Sequence, residues 1–110
     1  MSTNDEYEKW SAYIKSIGPD VKEEYHPEGD GAADEQKFMR PGKAQPEVVF
    51  AAIEKNEYPI KIWARLSYGN KWSVNAGWSL VLSNADPKEL HWMKIDLLLA
   101  YERAYYSKKP

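Results

Sequence analysis

The stretch IKIWARLSYGNKWSVNAGWSLVL, residues 60 to 82, decides how the rest of this chain can fold. Its even-numbered residues are apolar in both arms: Ile60, Ile62, Ala64, Leu66 and Tyr68, then Trp72, Val74, Ala76, Trp78, Leu80 and Leu82. Alternation at a period of two marks a half-buried antiparallel pair of strands. Residues that face each other across such a pair point to the same side of the sheet. A two-residue turn at Gly69-Asn70 would set Tyr68 against Lys71 and Leu66 against Ser73, apolar against polar along the whole ribbon. The register must therefore match even with even, which requires an odd loop or a bulge. With a three-residue loop, Gly69 to Lys71, the pairs are Tyr68–Trp72, Leu66–Val74, Ala64–Ala76, Ile62–Trp78 and Ile60–Leu80. The other side then carries Lys61–Ser79, Trp63–Gly77, Arg65–Asn75 and Ser67–Ser73.

Outward from the hairpin, the C-terminal segment reads as one long helix. Asp86, Pro87 and Glu89 make a cap, a first residue and a capping-box partner. It is expected to run to about Tyr106, with Lys108 and Lys109 complementing the negative end of its dipole. Leu90, Met93, Leu97, Ala100, Tyr101 and Ala104 form one apolar stripe, and Trp92, Ile95, Leu99 and Tyr106 form a second, broken by Glu102, which reads either as buried between the first helix and the sheet or as a docking seam. At the other end, Thr3 and Glu6 form a capping-box pattern. Tyr7, Trp10, Ile14 and Ile17 follow at helical spacing, and Gly18-Pro19 stops the run, so a helix is expected from about Asn4 to Ile17.

Between these, Val21–His26 and Lys37–Arg40 read as short edge strands around the polar stretch HPEGDGAADEQ. That stretch holds nothing to bury, so a mobile acidic loop is expected at about 26 to 36. Pro46 and Glu47, followed by Val49, Phe50, Ala52 and Ile53, read as a short helix ended by Asn56 and Pro59. The expected fold is a single α+β domain over 1–110, in the order α-loop-α-β-β-α, with a two- or three-stranded antiparallel sheet packed on helices. The expected core is Trp10, Ile14, Ile17, Phe50, Ile53, Ile62, Leu66, Val74, Trp78, Leu80, Leu90, Met93 and Leu97.

Composition narrows the function classes. The 110 residues suit one domain and include no cysteine, so disulfides, thiolate nucleophiles and cysteine-based metal sites are excluded. The absence of cysteine fits a reducing cytoplasm. The polar N-terminus lacks the pattern of a secretory signal, and no run approaches the ~20 apolar residues of a membrane span. None of the familiar nucleophile, zinc-protease, phosphate-loop or dinucleotide motifs occurs, so no enzyme activity is expected. His26 lies near Glu28 and Asp30 without the spacing of a metal motif, and His91 has Pro87 and Ile95 at the positions one turn away. No metal or cofactor is expected.

The net charge of −2 divides unevenly: residues 1–50 hold 6 basic and 11 acidic side chains, and residues 51–110 hold 9 basic and 6 acidic. Asp20, Glu23, Glu24, Glu28, Asp30, Asp34 and Glu35 crowd one segment, which reads either as a solvated linker or as an acidic decoy for a basic groove. Five Trp and eight Tyr exceed what a core of this size needs, so some are expected at an interface. The expected function is therefore a small regulatory protein-binding module or inhibitor that occupies a partner protein's surface, with homodimerisation as one form of partnership. Its contact residues are Trp63 and Arg65 on the hairpin, and Trp92, Leu99 and Tyr106 on the last helix. The runner-up is a single-stranded nucleic-acid binder, in which a base stacks on Trp63 while Lys61, Arg65 and Lys71 hold phosphates. Two structural roles for Trp63 compete with both: covering Gly77, or filling a core between helices. A structural or assembly subunit is the third reading.

Overall fold

The computed structural model describes residues 3–26, 35–54, 60–66, 75–80 and 87–106. Two helices, α1 (Thr3–Ser16) and α2 (Pro87–Tyr105), flank five strands: β1 (Lys22–His26), β2 (Glu35–Arg40), β3 (Val48–Glu54), β4 (Ile60–Arg65) and β5 (Asn75–Leu80). The strands form one antiparallel sheet in sequence order, each hydrogen-bonded to the next. The class is α+β as expected. Both helices lie within one or two residues of their expected bounds, which is the span over which helix ends fray.

The hairpin register is the one that side-matching demands. Ile60 pairs with Leu80, Ile62 with Trp78 and Ala64 with Ala76, while Lys61, Trp63 and Arg65 pair with Ser79, Gly77 and Asn75. The expected pairs nearer the turn, Tyr68–Trp72 and Leu66–Val74, lie outside the described residues. So does the acidic stretch between His26 and Glu35, but the loop expected over 26 to 36 is shorter at both ends: His26, Glu35 and Gln36 are strand residues, His26 pairing with Glu35 and Tyr25 with Gln36.

One element differs. The segment expected as a helix from Pro46 to Asn56 is β3, the middle strand of the sheet. The expected order α-loop-α-β-β-α therefore becomes α-β-β-β-β-β-α, and the sheet has five strands rather than two or three. The physical reason is a bulge. Phe38 pairs with Ala51 but Met39 pairs with Val49, so Phe50 is the extra residue on β3. Val48 and Phe50 reach the core on one side of the bulge, Ala51 and Ile53 on the other. That spacing imitates a helical face, and a short apolar run cannot be told from a buried helix by period alone. The β-branched and aromatic residues of VVFAAI, flanked by strands on both edges, decide for the sheet.

The core lies between one face of the sheet and the two helices. Tyr7, Trp10 and Ile14 of α1 meet Phe38, Phe50, Ile53, Ile60, Ile62 and Ala64 of the sheet, closed by Met93, Leu97, Ala100 and Ala104 of α2. Of the expected core, Ile17, Leu66 and Leu90 are only partly buried against this cluster. Val74 lies outside the described residues, and Trp78 and Leu80 are described by their backbone alone.

α2 is locked at its C-terminal end. The Lys43 N–H donates to the Tyr105 carbonyl at 2.7 Å, and Arg40 Nη1 donates to the Tyr101 carbonyl at 3.3 Å. The Arg40 guanidinium lies 4.0 Å from the centre of the Tyr101 ring. A cation here meets both the aromatic face and the negative end of the helix dipole. Arg103 Nη1 adds a bond to the Leu66 carbonyl at 2.8 Å.

On the same inner face, Glu23 joins α1 to β1 and β2. It accepts hydrogen bonds from the Tyr7 hydroxyl, from Lys15 Nζ at 3.0 Å, from Ser11 Oγ at 3.4 Å and from Gln36 Nε2 at 2.7 Å. Burial pushes the Glu23 carboxyl up, yet the Tyr7 and Lys15 hydrogen bonds and the Lys15 charge outweigh it and hold the group below its ordinary value. A carboxyl lowered in this way contributes stability that is full above the ordinary carboxyl range and is lost as pH falls through the folded-state value. Glu23→Gln is expected to cost about 1–2 kcal/mol near neutral pH. Denaturation midpoints of the two proteins should converge as pH falls from about 7 to about 2.5. A gap that stays constant over that range would contradict the assignment. Tyr7 shifts upward, through burial first and the Glu23 bond second, so its share is full below the ordinary tyrosine range and lost above it.

Candidate interaction surface

The sheet leaves one face away from the helices, and this face carries Trp63. The register sets Glu24, Lys37, Ala52, Trp63 and Gly77 in one row across all five strands. A neighbouring row holds His26, Glu35, Glu54, Lys61 and Ser79. Small Ala52 and Val49 leave an open groove of about 360 Å³, walled by Trp63, Arg65, Glu54, Glu35 and Lys37.

Trp63 is half-buried, and its indole N–H donates to Glu54 Oε1 at 2.7 Å. The ring is therefore anchored towards β3, although Gly77 is its partner on β5 as expected. It is not core between two helix layers, because the core cluster lies on the opposite face.

The charge on this face is mixed. Lys22, Lys37, Lys61 and Arg65 share it with Glu24, Glu35 and Glu54. The hairpin alone reads as cationic; the strands beside it supply the carboxylates, one of which already holds the Trp63 N–H. Polyanion affinity depends on uncompensated cations. Adding a single-stranded oligonucleotide at low salt is accordingly expected to leave the tryptophan emission unchanged. Quenching that fades as salt rises would reverse this reading. Lys71, the remaining residue of that expectation, lies outside the described residues.

The second surface is the outside of α2. Met93, Leu97, Ala100 and Ala104 are buried on one side of the helix. Trp92 is 56 % exposed, Leu99 41 % and Tyr106 66 %, with Ile95 partly buried beside them. The second apolar stripe is thus turned to solvent: the sheet takes up one side of α2 and α1 does not cover the other. His91 is exposed and lies edge-on to Trp92, ring centres 5.9 Å apart. Among the described residues no group of His, Asp and Glu is arranged to hold a metal ion.

The structure does not bring the expected contact residues together. Trp63 and Arg65 stand on the far face of the sheet, while Trp92, Leu99 and Tyr106 point away from the sheet on the helical layer. One flat partner cannot touch both sets. The acidic segment is dispersed as well: Glu23 is consumed by α1, whereas Glu24 and Glu35 face the open side of the sheet. Sequence reasoning missed the contribution of β2 and β3 to the Trp63 face. The signal for it, the VVFAAI run as a strand, was hidden by the bulge.

Fold and surface together define a small two-layer α+β protein whose outer helix displays aromatic and aliphatic side chains. Compared with protein-family models, curated proteins and solved structures, the chain matches none of them. No helix among the described residues is long and apolar enough to cross a membrane.

Proposed function

We propose that the protein is a small non-enzymatic binding module that acts by occupying the surface of a partner protein, as an inhibitor or regulator does. The observation that carries this is the exposure of Trp92 and Leu99 along one line of α2, and of Tyr106 just past its last residue, away from the side that builds the core. Isolated exposed apolar side chains are ordinary, but an aligned set with Trp and Tyr at its ends is the composition of an interface centre. A cytoplasmic setting suits the reading, since a chain without cysteine needs no oxidising compartment.

The test is a Trp92→Ala, Leu99→Ala double variant. Both side chains are outside the core, so the folded state should lose less than about 0.5 kcal/mol. Binding should fall by about 2–4 kcal/mol if either side chain anchors the contact. The readouts are solution mass and the proteins that co-purify with a tagged chain. If both are the same for the parent and the variant, α2 is not the docking face.

A further inference from the structure

We infer that the occupant of the α2 stripe is a second copy of this chain, docked antiparallel about a twofold axis beside Leu99. The inference rests on the reading of α2 as a docking face and adds the identity of the partner. Its first basis is spacing. On α2, Trp92 lies seven residues before Leu99; Tyr106, the turn residue that follows the helix, lies seven after. Seven residues bring a straight helix back to within about 20° of the same line. The stripe is therefore nearly symmetric about Leu99, so a twofold axis there sets apolar side chains against apolar ones. In the antiparallel pair Leu99 meets its own copy, and each Trp92 meets the Tyr106 of the other chain.

Its second basis is charge. Asp96 and Arg103 flank the stripe on the same side, three residues before Leu99 and four after. A twofold axis across the pair keeps that side and reverses the direction. Asp96 then lies within about 1.5 Å, along the axis, of Arg103 from the second copy, and the match occurs twice. A parallel pairing instead leaves these two groups about 10 Å apart along the axis. Among the described residues Arg103 gives one N–H of its five to the Leu66 carbonyl. Glu102 falls at the rim, where its carboxylate stays in water.

α2 has 19 residues and so is about 28 Å long. One helix line buries less than the roughly 800 Å² per partner of a standard interface. A reversible dimer is expected, forming between about 10 and 500 µM.

Sedimentation over that range should show monomer passing to dimer. Asp96→Arg alone and Arg103→Glu alone each place like charges across the axis and should weaken association at least about tenfold. Mixing the two variants places opposite charges at both positions and should restore a dimer containing one chain of each. Because the chain has no cysteine, Leu99→Cys should cross-link to itself on mild oxidation. Leu98→Cys, 46 % exposed but turned by about 100°, should not. Should Arg103→Glu fail to fold, this cysteine pair decides alone. A chain that stays monomeric throughout, or a mixture that fails to restore the dimer, overturns self-docking. If the monomer still captures another protein through Trp92 and Leu99, the docking reading survives without it. If neither mass nor capture depends on those two residues, both fall.

Discussion

Phe50→Ala is expected to remove about 3–5 kcal/mol of folding stability, a large part of what a domain of this size possesses. Phe50 is fully buried and is the extra residue of the β3 bulge. Its ring meets Tyr101 of α2 edge to face, centres 5.4 Å apart. Truncation would open a cavity where the sheet, the bulge and α2 meet, bounded by elements that cannot close in without breaking the β2–β3 ladder. The measurement is a shift of the denaturation midpoint at unchanged slope. A loss below about 1 kcal/mol would mean that Phe50 does not sit at the centre of a sheet–helix core.

Gly18→Val should cost about 3 kcal/mol for a different reason. A Cβ added at Gly18 would stand 2.6 Å from Cζ of Tyr101, and closer still to its hydroxyl. The tyrosine cannot swing aside freely, since Phe50 packs on its edge and the Arg40 guanidinium covers its face. The substitution must therefore displace either the α1–β1 turn or α2. Gly18→Ala should show the smaller part of the same effect. If both variants match the parent in stability, Tyr101 does not pack under the turn after α1.

Much of this architecture was legible in the chain. The alternation from Ile60 to Leu82 specified the hairpin register because each mismatch would have cost an apolar–polar pairing. Capping residues placed both helices, and the Met93–Leu97–Ala100–Ala104 line named one buried side of α2, while the second stripe, which sequence favoured as covered too, is exposed. Local pattern failed at β3. A bulge at Phe50 shifts the period by one residue, and only the neighbouring strands make a strand of it. The error carried over to the site. With β3 read as a helix, the Trp63 face looked cationic; with β2 and β3 in place, Glu35 and Glu54 stand on it. Whether the second stripe of α2 would be covered depended on where α1 packs, which is a tertiary fact. The residues of the stripe could be named from sequence, but their exposure could not.

The most direct measurement is hydroxyl-radical footprinting of the protein, dilute and in whatever complex it forms. In dilute solution Trp92, Leu99 and Tyr106 should be modified readily, while Trp10, Met93 and Leu97 are protected. In the complex, protection should spread to Trp92, Leu99 and Tyr106 and spare Trp63. A complex that protects Trp63 or another surface while Trp92 and Tyr106 stay fully reactive would contradict α2 as the docking face.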